Sequence, residues 1–313
     1  MSLPKTFISC DWGTSNFRLR LVNSENLEVI AEHSTDIGVK KRYLAYQESD
    51  KSISQTSFFV RYLKEQINVF SAFENTSKVV ASGMTTASIG MFELPYVDMP
   101  IYFDGSNLHS KVITESNLDI ILVSGAKTAT DVMRGEEIQA IGLSKQIPNN
   151  KEGVLLLPGT HSKHVEFKNG KFTSFTTHMT GELFDVLRKN TLLSNSLTKA
   201  DWDPKFEPSF LEGVAKGLNN QHLSSLFSIR ANDLLGNKTK EENFYFLSGL
   251  LIGGELAYLT NSKQQVYIAT TGILYKLYNL ALQQLAQDIV CFDADVIDKA
   301  LLIGHKKTLE LYV

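Results

Sequence analysis

The alternation of hydrophobic and polar residues near the amino end of the chain predicts a β-meander. A short apolar run at residues 7–8 leads into the sequence Cys-Asp-Trp-Gly-Thr-Ser-Asn at 10–16. Hydrophobic residues then alternate with polar ones over 17–22, which is the period of a half-buried strand. Residues 27–33 form a third predicted strand. The pattern therefore places a tight Gly-Thr-Ser turn between the first two strands.

The same pattern returns about 146 residues later. An apolar run at 153–157 is followed by Pro-Gly-Thr-His-Ser-Lys at 158–163, an alternating strand, an Asn-Gly turn at 169–170 and a further strand. An Asn-Gly pair between two strands is a strong hairpin signal. A duplicated strand, Gly-Thr turn and strand unit predicts two similar lobes, each headed by one turn.

Other apolar segments complete an α/β pattern. Short buried strands end at Ser82-Gly83 and at Ser124-Gly125, and the hydrophobic spacing over 57–73 predicts a helix before them. Ligands of open α/β sheets bind beyond the carboxyl ends of the strands. These small-residue loops are therefore expected near the turn at 11–16, provided that their strands share one sheet.

The first turn has the residues of a phosphate-binding loop. Gly13 permits a tight bend, backbone N–H groups and the hydroxyls of Thr14 and Ser15 suit anionic oxygens, and Asp11 is a candidate ligand for a metal ion or its waters. The same residue types also occur in ordinary turns. The stretch by itself leaves both interpretations open.

The sequence Arg134-Gly135-Glu136-Glu137 leads into a predicted helix. Two adjacent carboxylates there suit a general base and a ligand of metal-bound water, and Arg134 suits an anionic substrate. The alternative is structural, since acidic residues at a helix N-terminus offset the helix dipole. Lys163, after the second turn, is either close to the transferred phosphoryl group or on a solvated strand face.

Composition limits the classes of partner. A formal net charge of −3 with 21% charged residues gives no basis for binding nucleic acid or an anionic membrane. The two cysteines, Cys10 and Cys291, fit neither a disulfide framework nor a zinc site, and the apolar window at 246–259 is too short to cross a bilayer. A cytoplasmic protein is expected. The sequence also lacks a P-loop, a G-x-G-x-x-G motif and a G-x-S-x-G elbow.

Taken together, these motifs resemble the 2-dehydro-3-deoxygalactonokinase family, and they occur in that family's order along nearly the whole chain. The family is similar to the sugar kinase, hsp70 and actin superfamily, so the resemblance implies two RNase-H-like α/β lobes around an ATP cleft. The motifs are Asp11-Trp12-Gly13-Thr14-Ser15-Asn16 with Arg18, Val132-Met133-Arg134-Gly135-Glu136-Glu137 with Gln139, Pro158-Gly159-Thr160-His161-Ser162-Lys163, Met179-Thr180-Gly181-Glu182-Leu183, and Leu247-Ser248-Gly249-Leu250-Leu251-Ile252-Gly253.

The resemblance also implies roles for single residues. Asp11, Gly13, Thr14, Ser15 and Asn16 would form the first phosphate loop, with Asp11 near Mg²⁺. Gly159 and Thr160 would form the second phosphate loop, and Thr271 with Gly272 matches the adenosine position. Glu136 or Glu137 would be the general base, with Glu136 preferred. Arg134, Arg18 and Lys163 are the candidates for the substrate carboxylate.

The expected activity is ATP-dependent phosphorylation of the 6-hydroxyl of 2-dehydro-3-deoxy-D-galactonate, in galactonate catabolism. The alternatives are a kinase of another sugar or sugar acid, and an inactive nucleotide-binding regulator with the same fold. The expected domains are an amino-terminal lobe at 1–134, a carboxy-terminal lobe at 135–294, and a helix at 295–313 that returns to the first lobe. The expected partners are ATP and a small sugar acid, and a homodimer is compatible with the sequence.

Overall fold

The structure is a computed structural model that describes residues 3–70, 78–285 and 288–312. Its chain divides into two compact units. The first unit consists of Met1–Lys151, Phe167–Phe175 and Asp298–Val313. The second consists of Glu152–Glu166 and Thr176–Ile297.

The first unit is built on a mixed sheet with helices. Its strands are β1 (Thr6–Trp12), β2 (Phe17–Asn23), β3 (Val29–Thr35), β4 (Lys78–Gly83), β5 (Val97–Asp98), β6 (Ile101–Tyr102), β7 (Ser110–Glu115), β8 (Leu118–Val123), β9 (Ala126–Lys127) and β10 (Val132–Met133). Its helices are α1 (Val39–Glu48), α2 (Gln55–Ile67) and α3 (Glu136–Leu143). The large sheet has the order β3-β2-β1-β4-β8-β7, and β10-β9-β5 form a separate small sheet.

Strand direction in the large sheet brings the small-residue loops to one edge. Strands β1, β2 and β3 form the expected antiparallel meander, while β4 is parallel to β1 and β8 is parallel to β4. The carboxyl ends of β1, β4 and β8 therefore share one edge, as the sequence predicted. One sheet face is fixed by a buried core in which Trp12, Phe17 and Phe59 pack together.

The second unit repeats this plan. Its strands are β11 (Glu152–Leu157), β12 (Ser162–Lys168), β13 (Lys171–His178), β14 (Gln265–Ile268) and β15 (Ile289–Cys291). Its helices are α4 (Thr180–Asn190), α5 (Glu207–Leu218), α6 (His222–Leu235), α7 (Lys240–Leu256) and α8 (Gly272–Gln283), followed by α9 (Ala294–Glu310), whose residues from Asp298 onward belong to the first unit.

Both units share one strand order. The second sheet reads β13-β12-β11-β14-β15, which matches β3-β2-β1-β4-β8 of the first unit strand for strand. This is the order of the RNase-H-like fold, so the duplication seen in the sequence is a duplication of structure. The tip of the β12–β13 hairpin belongs to the first unit, where Lys171 and Phe172 pair with Tyr102 and Ile101 of β6.

Close helix packing explains several glycines. A Cβ atom on Gly249 of α7 would lie 2.0 Å from the Phe210 carbonyl oxygen of α5, and one on Gly213 of α5 would lie 2.2 Å from the Phe246 oxygen of α7. In the first unit, a Cβ on Gly142 of α3 would lie 1.8 Å from the Ala300 oxygen of α9. Backbones approach at these positions only because side chains are absent.

The units and the expected lobes have different boundaries. The contacts within the chain join α3 to the first unit and place the first boundary after Lys151, whereas the boundary expected from the sequence follows residue 134. The division into 1–134, 135–294 and 295–313 stays a prediction. The helix expected at 57–73 corresponds to α2, and residues 71–73 lie outside the described residues. Over the described chain, no helix is long and apolar enough to span a membrane.

Candidate active site

The first loop, Gly13–Asn16, joins β1 to β2 and is held by the N-terminus of α1. The Gly13 N–H donates to the Asn16 oxygen at 2.9 Å and closes the turn. The carbonyl oxygens of Gly13, Thr14 and Ser15 accept hydrogen bonds from the N–H groups of residues 39, 40 and 38, at 2.9, 3.2 and 3.2 Å. The free N–H groups at the start of this helix are thus satisfied by the loop.

This arrangement turns the opposite edge of the loop outward. In a trans peptide, the carbonyl and the following N–H point in opposite directions. The N–H groups of Thr14, Ser15 and Asn16 therefore point away from α1, and all three residues are exposed. Successive outward N–H groups form an anion-binding concavity. Gly38 makes this possible, because a Cβ there would lie 2.4 Å from the Thr14 oxygen.

The second loop, Pro158–His161, has the same support in the second unit. The Thr160 carbonyl oxygen accepts a hydrogen bond from the Glu182 N–H at the start of α4, at 3.1 Å. A Cβ on Gly181 would lie 2.7 Å from the Gly159 oxygen, so Gly181 plays the part that Gly38 plays in the first unit. Gly159 is exposed, and a Cβ there would have open space around it.

The acidic segment lies next to the end of β1 within the first unit. Trp12 at the end of β1 is in register with Gly83 at the end of β4. A Cβ on Gly135 would lie 3.4 Å from the Gly83 Cα, and Gly135 has a φ of 116° that suits glycine. The backbone at Gly135, which directly precedes Glu136, thus packs on the end of β4, the strand that pairs with the end of β1.

The two adjacent glutamates have different environments. Glu137 is fully buried, and both of its carboxyl oxygens lie 2.8 Å from the Gly135 N–H, which donates to them. Burial, together with the neighbouring charge of Glu136, raises the pKa of Glu137 to about 8. Glu136 is partly exposed and accepts a hydrogen bond from the Arg134 N–H at 3.2 Å. Burial therefore favours the protonated form of Glu137, whose carboxyl group holds the N–H of Gly135, the residue before α3.

Arg134 is held rigidly at the end of β10. Its Nη1 donates to the carbonyl oxygen of Thr86 at 2.7 Å and also to the Thr86 hydroxyl. Its Nε donates to the Tyr96 hydroxyl at 3.3 Å, and the guanidinium lies 4.1 Å from the centre of the Tyr96 ring. Thr86 and Tyr96 therefore fix the orientation of the guanidinium, which follows β10 directly in the chain.

The other two candidate cations differ from Arg134. Arg18 Nη2 donates to Asp11 Oδ2 at 3.0 Å, and the side chains of Arg18 and Asp11 are 40% and 38% exposed. The structure thus brings Arg18 together with the predicted metal ligand. Lys163 of β12 is buried at 4% exposure, so the interpretation as a solvated strand lysine is wrong.

A cavity of about 380 Å³ in the second unit extends from Gly159 to α8. Its volume falls within the range of small-molecule sites. The Trp202 indole N–H is buried, and no described residue accepts its hydrogen bond. Thr271 is the N-cap of α8 and Gly272 is its first residue. The first residue of α8 that lines the cavity is Ile273. The lining residues are Gly159, Thr180, Gly181, Phe184, Lys199, Ala200, Asp201, Trp202, Phe244, Tyr245, Ser248, Leu251, Ile252, Ile273, Leu274, Leu277 and Tyr278.

Gly38, Thr86 and Tyr96 are not among the site residues predicted from the sequence, and Gly181 was named there only as part of a family motif. Gly38 and Gly181 each follow the third strand of a repeat by a few residues, and this shared position is the signal that would have found them. Thr86 and Tyr96, which hold Arg134, lie in a short 3-10 turn and in the loop after it, and neither shows a periodic pattern in the sequence. Within the described residues, no group of three or more histidine, cysteine, aspartate and glutamate side chains forms a ready metal site.

Two units with one RNase-H-like strand order, each with a glycine loop after its first strand, define the class that contains the sugar kinases, hsp70 and actin. Residues 11–303 match the family model described as 2-keto-3-deoxy-galactonokinase. A protein of Rhizobium meliloti (strain 1021), described as a probable 2-dehydro-3-deoxygalactonokinase, is 30% identical over 94% of each chain. The 2-dehydro-3-deoxygalactonokinase of Escherichia coli (strain K12) is 28% identical over 92% of this chain and 93% of its own.

A solved structure agrees with these matches. The crystal structure of a putative 2-dehydro-3-deoxygalactonokinase protein from Sinorhizobium meliloti superposes with a TM-score of 0.80, at 29% identity and with 96% of both chains covered. The chain therefore belongs to the 2-keto-3-deoxy-galactonokinase family of carbohydrate kinases. The resemblance and the fold class inferred from the sequence are both confirmed.

Proposed function

We propose that this protein transfers the terminal phosphoryl group of ATP to the 6-hydroxyl of 2-dehydro-3-deoxy-D-galactonate. The names of its relatives supply the substrate class. The observation that carries the proposal is the partly exposed Glu136, which directly follows the packing of Gly135 on Gly83 at the end of β4. Phosphoryl transfer requires positioning, charge neutralisation and a base for the hydroxyl proton.

Glu136 is the proposed base. Its carboxylate takes the proton of the 6-hydroxyl while that oxygen forms a bond to the γ-phosphorus, and the bond from the γ-phosphorus to the bridging oxygen breaks to release ADP. Glu137 is the weaker candidate because its carboxyl group is fully buried and already bound to the Gly135 N–H, and burial raises its pKa to about 8. Its role in this proposal is to hold the Gly135 N–H and so fix the start of α3.

The two loops are the proposed phosphate sites. The outward N–H groups of Thr14, Ser15 and Asn16 suit phosphate oxygens, and the exposed backbone at Gly159 and Thr160 offers a second anion site without a side chain at Gly159 to obstruct it. Mg²⁺ usually binds through one or two carboxylates together with substrate phosphates and water. Asp11 fits as that carboxylate. The metal would neutralise charge on the transferred phosphoryl group.

The 380 Å³ cavity is the proposed adenosine site. Aromatic and aliphatic side chains suit the faces of a purine. The buried Trp202 N–H offers a hydrogen bond to an acceptor on the ligand. Thr271 and Gly272 would shape the entrance to α8 in this proposal, while the residues after them contact the base.

Arg134 is the preferred partner of the sugar-acid carboxylate. Its Nη1 and Nε are fixed by Thr86 and Tyr96, so the guanidinium loses little side-chain entropy when it binds a planar anion. Arg18 instead pairs with Asp11, and Lys163 is buried. Both stay weaker candidates for the same role.

The activity is tested by ADP release with a panel of hexoses, aldonates and 2-keto-3-deoxy acids. We expect turnover with 2-dehydro-3-deoxy-D-galactonate. Activity on neutral hexoses alone would refute the substrate class, and ATP binding without turnover on any sugar acid would favour an inactive regulator. The sequence is compatible with a homodimer, and light scattering tests the oligomeric state.

The base is tested with matched variants. Glu136→Gln should lower kcat by roughly 10²–10⁴-fold, the usual contribution of general base catalysis, with ATP affinity nearly unchanged. Glu137→Gln, which keeps the size and the hydrogen-bond acceptor of a protonated carboxyl group, should retain kcat within a few-fold. The opposite result would transfer the role of base to Glu137.

A further inference from the structure

A buried carboxylate in the second unit has no part in the function proposed above. Glu255 lies on α7, and its side chain is only 1% exposed. It accepts hydrogen bonds from His164 Nε2 at 2.7 Å, from the Tyr278 hydroxyl at 2.9 Å to each oxygen, and from the Thr180 hydroxyl. These donors lie on β12, on α8 and at the start of α4, so one carboxylate joins three elements to α7.

The hydrogen bonds keep Glu255 charged. Burial alone would raise the pKa of Glu255, but the hydrogen bond and electrostatic attraction of His164, together with the hydrogen bonds from Thr180 and Tyr278, outweigh burial and hold it below its ordinary value. The other ring nitrogen of His164, Nδ1, lies 2.8 Å from the Tyr258 hydroxyl. Both nitrogens of His164 and both oxygens of Glu255 therefore have hydrogen-bond partners.

Two series of contacts connect this carboxylate to the second loop. In one series, the Tyr278 hydroxyl lies 3.3 Å from Ser162 Oγ, and that oxygen accepts a hydrogen bond from the Gly159 N–H at 3.3 Å. In the other series, Thr180 immediately precedes Gly181, whose Cα packs against the Gly159 backbone. Glu255 thus holds the second loop from the strand side through Ser162 and from the helix side through Thr180.

We propose that Glu255 is a positioning residue that fixes the second loop for the nucleotide phosphates. This inference rests on the proposed function, because it assigns that loop to ATP. A buried polar network restrains geometry only when all its members are satisfied. Replacing Glu255 by Gln keeps the shape but turns one acceptor oxygen into an NH₂ donor, which then faces the hydroxyl and imidazole donors.

We expect a substitution of Glu255 to weaken nucleotide binding and to leave sugar-acid binding nearly unchanged. Glu255→Gln should raise the KM for ATP and the Kd for ADP roughly tenfold or more, the fold-change that corresponds to one buried hydrogen bond to a charged group. The KM for the sugar acid should stay nearly constant, and kcat should fall less than the affinity for ATP. ADP binding is measured by titration calorimetry, independently of turnover.

A control variant separates positioning from loss of stability. Asp233→Asn disrupts another carboxylate of the second unit, which accepts a hydrogen bond from Ser196 at 2.8 Å and whose side chain is 18% exposed. It should lower Tm without changing the KM for ATP. His164→Gln, which removes the imidazole donor and leaves the carboxylate, provides a second test should Glu255→Gln fail to fold, and it should raise the KM for ATP as well.

Three results would overturn the inference. The first is a KM for ATP in the folded Glu255 variant equal to that of the wild type, and the second is an unchanged KM in His164→Gln. The third is a rise in KM that simply follows the loss of Tm in all variants, Asp233→Asn included. A wild-type protein that binds no ADP would instead refute the proposed nucleotide site, and with it this assignment.

Discussion

The buried Glu137 makes the stability of the first unit depend on pH in an unusual direction. A carboxyl whose pKa is about 8 in the folded protein, against an ordinary value of 4.5, holds its proton between these two values while the unfolded chain releases it. Stability then falls as pH rises, because the folded state binds more protons than the unfolded state. Replacing Glu137 by Gln removes the titrating proton and retains an oxygen that accepts from the Gly135 N–H.

The size of the effect follows from the pKa difference. Each pH unit within the window costs about 1.4 kcal/mol of unfolding free energy. His305 acts in the opposite direction but only below its ordinary pKa of 6.5, because burial lowers its folded pKa to about 3. The range from pH 6.5 to 8 therefore isolates Glu137. Between pH 6.5 and 8, the unfolding free energy of the wild type should fall by about 2 kcal/mol relative to that of Glu137→Gln.

Urea unfolding monitored by tryptophan fluorescence measures this difference. The chain has two tryptophans, and Trp12 lies in the core of the first unit while Trp202 belongs to the second. A Trp202→Phe background makes the emission report the first unit alone. Parallel dependence of the unfolding free energy on pH in the two proteins between pH 6.5 and 8 would refute the assignment of a raised pKa to Glu137.

Three further predictions concern other buried contacts. The neutral His305 ring bridges Ser9 at 2.7 Å and Ser82 at 2.9 Å. Between pH 6.5 and 5, the unfolding free energy of the wild type should therefore fall by about 2 kcal/mol, and urea unfolding should show no such fall for His305→Gln. Gly181→Ala should raise the KM for ATP with little change in the KM for the sugar acid, because the new Cβ meets the second loop. Gly249→Ala should lower the unfolding free energy by about 1–3 kcal/mol or more, since its Cβ would overlap α5, and calorimetry tests this.

The parts of the fold that the sequence predicted are those with strong local periodicity. The β1–β3 meander and its second copy were visible because alternating strands flank a Gly-Thr turn in both places. The shared edge of β1, β4 and β8 followed from small residues at the strand ends. Strands of two residues, such as β9 and β10, contain no full period, so the small sheet that presents Arg134 left no signal.

The difference between Glu136 and Glu137 shows what a linear pattern hides. Both residues fit the acidic first turn of a helix, so the sequence pattern alone does not decide which of them is the base. Glu137 lies one helical turn before Ile141, a buried residue of α3, so both side chains occupy the inner face of α3. The spacing was therefore present in the sequence, but its meaning depended on how α3 packs in the first unit.

A glycine follows the third strand of each repeat, Gly38 in the first and Gly181 in the second, and both have the same structural role. A loop that offers N–H groups to an anion must direct its carbonyls elsewhere, and a buried carbonyl requires a donor. In both units that donor is the unsatisfied N–H edge of the next helix, which can approach only where Gly38 or Gly181 leaves out a side chain. A single glycine outside any motif is inconspicuous in a sequence. It becomes identifiable once the first loop and the second loop are aligned, because the same contact recurs at the same place in both repeats.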